Sequence, residues 1–318
     1  MNIKKLQHIC RMSEQSLKKY VFAELKSTHK VIDNADGYVY AKGTYPVLLV
    51  AHLDTVHKQT PNITIFNSNS NILKSPEGIG GDDRCGVYAI LEIVKRYNCS
   101  VLFCEDEEIG GIGATKFTKA HDGEPFDFNY IIELDRKGKT DAVFYDCDNP
   151  EFTDFICKDY WKEEWGTFSD ISVLCPFFGI AGVNLSCGYY FAHTKEEYIK
   201  TDELQKTIDE TCMLLARSKD IKPFEYIEYI YKNKWDKWDN WDEWDNKYGT
   251  TYSTYDVWEI VFVDDDTGDY LTERVYANGE DCAIGKFVQK HDFIPFCNVV
   301  DVYCLADCAT KGVKNYAV

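Results

Sequence analysis

Three apolar runs constrain this chain more than any other feature: VLLVA (47–51), VLFC (101–104) and YIIEL (130–134). Each is short and continuous rather than alternating, and a helix-patterned stretch follows or separates them. A strand that is apolar on both faces has to be covered on both faces, which is the position of a parallel strand between two helical layers. Segment 84–97 sets Val87, Ile90, Leu91 and Val94 on one helical stripe, and 112–120, 151–162 and 202–217 read as further helices. Near the start, 3–12 and 14–26 read as helices, with Ser13 as N-cap and Leu17, Tyr20, Val21 and Leu25 sharing a face. Shorter strand-like runs lie at 30–33, 37–41, 142–145 and 181–185, and Ile63–Phe66 with Asn71–Lys74 reads as a hairpin joined by NSNS. Strands alternating with helices predict an α/β fold, a three-layer α/β/α sandwich on a mostly parallel, mixed central sheet.

The pattern changes after residue 218. Residues 219–255 hold KWDKWDNWDEWDN, in which Trp235, Trp238, Trp241 and Trp244 recur every three residues, each followed by aspartate. A period of three suits neither a helical stripe nor a strand. This stretch reads as a biased linker, or as an aromatic-acidic docking segment for a protein partner. Beyond it, Val257–Val263, Thr272–Tyr276, Ala283–Lys290 and Val299–Leu305 suggest strand, strand, helix, strand, so that 256–318 forms a small α+β module of unreadable function.

With 53 acidic against 35 basic residues the net charge is -18, a surface that repels phosphate backbones and excludes nucleic acid as a partner. No apolar run approaches the roughly 20 residues of a membrane span. The N-terminus lacks the apolar core and cleavage site of a signal peptide, so the 13 cysteines are expected as reduced thiols in the cytoplasm.

Chemistry enters where the apolar runs stop. His52 and Asp54 follow the first run, Asp82 and Asp83 lie in GIGGDDRCG, Glu107 and Glu108 in CEDEEIGG, Asp135 ends YIIELD, and His193 ends CGYYFAH. Singly, each has an ordinary explanation: a surface turn, a helix cap, a solvated acidic loop. Together they form an ordered set at strand ends and one helix start, the place where open α/β sheets bind ligands. Their types suit two divalent metals sharing one carboxylate, with a glutamate left over, which are the parts of a hydrolase that activates water.

The order His-x-Asp, Asp-Asp-Arg-x-Gly, Glu-Glu-x-Gly, Asp, His resembles the co-catalytic zinc metallopeptidases, a superfamily that includes peptidase T, the glutamyl aminopeptidases, the bacterial leucyl aminopeptidases and deacylases of the acetylornithine type. The resemblance spans about residues 45–218, carried by GGDDRCGV, EDEEIGGIGA and GVNLSCGYYFAHTKEEYIKTDEL. It implies that 1–218 is a catalytic domain with two metal ions, zinc first and cobalt or manganese as alternatives. One metal would be held by His52, Asp82 and Asp135, the other by Asp82, Glu108 and His193. Asp54 would fix the tautomer of His52, and Glu107 would be the general base. The implied activity is that of an aminopeptidase cleaving N-terminal peptide bonds of short peptides through a water bridging the metals. Only 57 residues separate Asp135 from His193, and 27 separate Asp54 from Asp82. Both intervals are too short for the lid or extra domain of many relatives, which implies a lidless form. In GTFSDIS, Asp170 resembles an acid near the substrate and is expected either to meet a free α-amino group or to lie beside a helix N-cap at Ser169. Two other readings stay open: an amidohydrolase or deacylase on small N-acyl compounds, and a non-catalytic interaction protein on a peptidase fold. The oligomeric state is not readable.

Overall fold

In the computed structural model, which describes residues 1–228, 256–263, 270–277 and 299–304, the three apolar runs lie side by side in one sheet. Along the chain the elements are α1 (Ile3–Cys10), α2 (Glu14–Leu25), β1 (Val31–Ala35), β2 (Tyr38–Lys42), β3 (Tyr45–His52), β4 (Ile65–Asn67), β5 (Ile72–Lys74), α3 (Gly81–Ile93), β6 (Cys99–Cys104) and α4 (Ile112–Ala120). There follow β7 (Tyr130–Arg136), β8 (Asp141–Val143), α5 (Pro150–Ile156), β9 (Lys162–Glu164), α6 (Ile171–Phe178), β10 (Gly182–Ser186), β11 (Tyr189–Tyr190), β12 (Tyr198–Lys200) and α7 (Thr201–Ala216).

The eight-stranded sheet has the order β1-β2-β6-β3-β7-β10-β8-β9. At its centre β3 is parallel to both β6 and β7, and β7 is parallel to β10. Antiparallel β2 and β8 flank these four strands. Side-chain alternation sorts the core into two layers. Val47, Leu49 and Ala51 of β3 pack with residues of α1, α2, α3 and α7, whereas Leu48 and Val50 face Ala114 and Phe117 of α4 and Ile171 and Leu174 of α6. The predicted three-layer α/β/α sandwich is thus the observed one, and Ser13 caps α2 by accepting from the Ser16 N–H.

A smaller sheet of order β11-β12-β5-β4 stands apart from the central one. The expected hairpin supplies β4 and β5, with Phe66 opposite Leu73, and β12 adds to its edge. This sheet holds the turn that carries His193. Sequence periodicity does not reveal β11 and β12, which are two and three residues long.

Two expectations change. The helix expected over 151–162 ends at Ile156, because Lys162–Glu164 instead pairs with β8 as the edge strand. Helix α6 begins at Ile171 with Asp170 rather than Ser169 at its N-cap position, and the Asp170 side chain makes no cap bond. Between Asp135 and His193 the described chain is occupied by elements of the two sheets and their helices, with no inserted domain.

The chain divides into two compact units, Met1–Tyr229 and Ile230–Val318. In the second unit β13 (Asp256–Val263), β14 (Tyr270–Ala277) and β15 (Val299–Cys304) form an antiparallel sheet of order β14-β13-β15. The Trp/Asp-rich stretch and the expected helix at Ala283–Lys290 lie outside the described residues.

Candidate metal centre

Adjacent parallel strands end at the same edge of their sheet, so β6, β3 and β7 deliver the residues that follow them to one place. His52 is the last residue of β3, Asp135 lies near the end of β7, and Glu107 and Glu108 follow β6. Asp82 arrives from the start of α3. That approach needs small residues. Gly80 sits at φ +64, and a Cβ on Gly86 would lie 2.0 Å from the Leu134 carbonyl oxygen of β7, so helix and strand could not pack this closely with a larger side chain there. The Asp82–Asp83 peptide is cis. His193 completes the set from the β11–β12 turn at φ +66, a left-handed conformation uncommon for a residue with a Cβ.

These side chains form two groups. His52, Asp82 and Asp135 bring one donor atom each within 4.8 Å of one another, and so do Asp82, Glu108 and His193. His52 Nε2 lies 3.1 Å from Asp82 Oδ1 and 3.4 Å from Asp135 Oδ1. His193 Nε2 lies 3.2 Å from Asp82 Oδ2 and 3.1 Å from Glu108 Oε2. Asp82 therefore points one carboxylate oxygen into each group. Glu107 stands beside them, its Oε2 4.0 Å from His52 Nε2.

The surrounding residues hold this arrangement. Asp54 lies 3.1 Å from His52 Nδ1 and accepts the backbone N–H groups of Glu107 at 3.1 Å and Glu108 at 3.0 Å, so one carboxylate orients both the imidazole and the Glu-Glu turn. Asp83 is fully buried and accepts the Gly86 N–H at 2.8 Å and the His52 N–H at 3.3 Å. Asn184 accepts the Asp135 N–H at 2.9 Å and donates to the Asp135 carbonyl oxygen at 3.1 Å. Tyr189 donates its hydroxyl to Asp135 Oδ1 at 3.2 Å. Glu197 accepts the Asp82 N–H at 3.0 Å. Of these supports, Asn184 is legible in hindsight as a polar residue inside an apolar strand, and Glu197 as an acid downstream of His193. Tyr189 carries no sequence signal.

The electrostatics are those of acids crowded out of water. Burial, reinforced by Asp135, Asp170 and Glu133, pushes the Glu107 carboxyl up to about 10. Burial and then Asp82 push Asp135 up to about 7, and burial with Asp135 pushes Glu133 to about 8. Burial works against ionisation of Asp82 too, but hydrogen bonds from His193 and His52 hold it well below the carboxylate range. Bonds to Asp82 and Glu108 raise the His193 imidazole to about 11, and for His52 the surrounding acids overcome burial and raise it well above its ordinary value. Glu108 Oε1 is buried without a hydrogen-bond partner. Acidic oxygens and imidazole nitrogens converging at hydrogen-bond distances, with a spare buried oxygen among them, fit a pair of divalent cations.

Asp170 is placed differently. It is 0% exposed, and both carboxylate oxygens lack hydrogen-bond partners. A Cβ on Gly111 would lie 2.9 Å from the Phe168 ring and 3.6 Å from Asp170 Oδ1, so Asp170 lies behind the glycine that closes the Glu107–Glu108 turn.

Among solved structures, the aminopeptidase PepT of Bacillus cereus has a similar fold, with a TM-score of 0.53 and 14% identity over 67% of this chain and 96% of that one. A tripeptidase of Staphylococcus aureus matches with a TM-score of 0.53 and 13% identity, over 67% of this chain and 96% of its own. The dodecamer PhTET1-12s matches with a TM-score of 0.50 and 14% identity, over 70% and 100%. At such identities the likeness is one of fold. No family model matches the sequence, and no curated protein matches it.

Proposed function

We propose that this chain is a metal-dependent aminopeptidase that hydrolyses N-terminal peptide bonds of short peptides. The observation that carries the reading is the division of Asp82 between two donor groups with Glu107 beside them. His52 and Asp135 would hold one ion and Glu108 and His193 the other, with Asp82 common to both. Zinc suits the mixed nitrogen and oxygen donors, and cobalt or manganese fit the same set. When bound, such ions supply an acidified water and polarise the scissile carbonyl.

The chain's own residues do the rest. Asp54 keeps the proton of His52 on Nδ1, leaving Nε2 free as a donor atom toward the site. Glu107, beside the two donor groups and a member of neither, is suited to take a proton from water and return it to the nitrogen of the leaving amine. Asp170 is a candidate acceptor for a free α-ammonium group. The catalytic domain would extend past the expected boundary at 218 to Tyr229, because Phe224 and Tyr226 hydrogen-bond to Ala181, Asn129 and Gly179, leaving the stretch up to 255 as a linker able to meet a protein partner and 256–318 as an accessory module. The nine cysteines from Cys10 to Cys212 are free thiols, which supports a reducing cytoplasm, and no helix among the described residues is long and apolar enough to cross a membrane.

The test compares Leu-p-nitroanilide with an N-acetyl amino acid as substrates of the metal-loaded full chain. Turnover of the first alone is expected. Preference for the N-acetyl compound would make the chain a deacylase, and turnover of neither would favour an interaction protein.

A further inference from the structure

The segment that opens α3 has non-helical backbone at Asp82 and Asp83, and Asp83 Oδ1 accepts the Gly86 N–H at 2.8 Å, so the regular helix begins after them with its own cap. The N–H groups of Gly80 and Asp82 ahead of that helix are taken instead by Glu197, more than a hundred residues away in sequence. Its Oε1 accepts the Asp82 N–H at 3.0 Å and its Oε2 accepts the Gly80 N–H at 2.8 Å. The same Oε2 accepts from His57 Nε2 at 3.0 Å. The Glu197 side chain is fully buried, so these charge-assisted bonds are sheltered from water. Packing leaves little room for another arrangement: a Cβ on Gly81 would lie 2.8 Å from Tyr189 Cβ and 3.3 Å from Glu197 Oε1.

Glu197 thus joins three separate loops. His57 lies on the loop that follows His52 and Asp54, Gly80 and Asp82 are on the loop that opens α3, and Glu197 shares its own turn with His193. We propose that Glu197 is a positioning residue for the paired-metal site, fixing the Asp82 backbone relative to the His193 turn so that the shared carboxylate reaches both donor groups. The proposal rests on the metal-centre reading above. It assigns Glu197 no contact with substrate or metal.

The experiment uses cobalt(II) as the probe and the full chain as the protein. Wild type and Glu197→Gln are titrated with cobalt(II), following the visible d–d absorption and the bound stoichiometry, while circular dichroism and thermal melting of the metal-free proteins report the fold. Glutamine keeps the shape but turns one acceptor into a donor facing a backbone N–H. The expected result is a metal-free fold like wild type, cobalt affinity weaker by about 10-fold or more, and an altered d–d spectrum. Wild-type affinity with an unchanged spectrum in the variant overturns this proposal alone. Failure of the wild-type chain to bind cobalt overturns the metal-centre reading and this proposal with it. If Glu197→Gln does not fold, His57→Ala carries the test, because it removes one support of Glu197 and leaves every donor in place. A loss of affinity smaller than that of Glu197→Gln is expected there, and unchanged affinity overturns the proposal.

Discussion

The two donor groups share Asp82 but are built differently. The inner one rests on regular structure: His52 ends a central strand with 0% of its side chain exposed, and Asp135 lies at the end of the neighbouring strand. The outer one rests on turns. His193 has 54% of its side chain exposed, sits at positive φ, and is held by the small β11-β12-β5-β4 sheet. The same chemistry is therefore pre-organised on one side and dependent on the packing of a turn on the other. The inner group should be the tighter and more stability-coupled, and the outer group the more easily emptied.

Asp82→Ala should have the largest effect, since it removes the residue common to both groups. Metal content measured by atomic absorption should fall at both sites together. Loss of one equivalent alone would mean that the groups do not share this carboxylate. Next, Glu107→Gln should retain its metal and lower kcat by roughly 10²–10⁴-fold, the range for a general base. A variant with near wild-type kcat would remove Glu107 from that role.

The contrast between the histidines can be tested on the metal-free protein. His52→Ala leaves buried Asp82 and Asp135 without their imidazole and should cost about 3–5 kcal/mol in urea unfolding, the range for breaking a buried charge pair. His193→Ala breaks a half-exposed pair and should cost about 1 kcal/mol or less. Equal costs would erase the distinction between inner and outer groups. Acidity gives a milder test. Both imidazoles are raised by their acidic neighbours, so in the metal-free protein each holds a proton that a cation has to displace. Raising the pH strips these protons and strengthens binding, and lowering it weakens binding. Cobalt addition should therefore release protons in weakly buffered solution, and affinity should fall between about pH 8 and pH 6. Binding without proton release would show that the imidazoles are already neutral. A supporting residue gives a further test at Asn184, whose bonds to the Asp135 backbone a hydrophobic residue cannot make. Asn184→Leu should destabilise by about 1–3 kcal/mol in the same unfolding assay, with metal affinity reduced at the inner group more than at the outer.

Legibility follows the same division. Apolar runs bounded by polar residues are local signals, so the central strands, helix α4 at its observed bounds and the Ser13 cap were readable from neighbouring residues. So were the residues that the fold brings into two groups, because strand ends mark themselves by the abrupt change from apolar to charged. Elements defined by long-range pairing were not readable. Strand β9 replaces the end of an expected helix because it has β8 to pair with, and β11 and β12 are too short to show a period. Asp170 shows the limit clearly: its sequence context suits either a cap or a substrate contact, and the fold buries it with no cap bond.

By itself, the sequence determined which residues have metal-binding chemistry and that each follows an apolar strand or opens a helix, since both are properties of adjacent residues. The tertiary structure decided how those residues meet: that Asp82 divides its oxygens between two groups, that Asp54 serves His52 and the Glu-Glu turn at once, and that Glu197 holds the Gly80–Asp82 backbone from a distant loop. Such relations depend on which strands become neighbours and how closely a helix can approach them. Spacing along the chain does not encode that, because it arises only when the two faces of the sheet are packed.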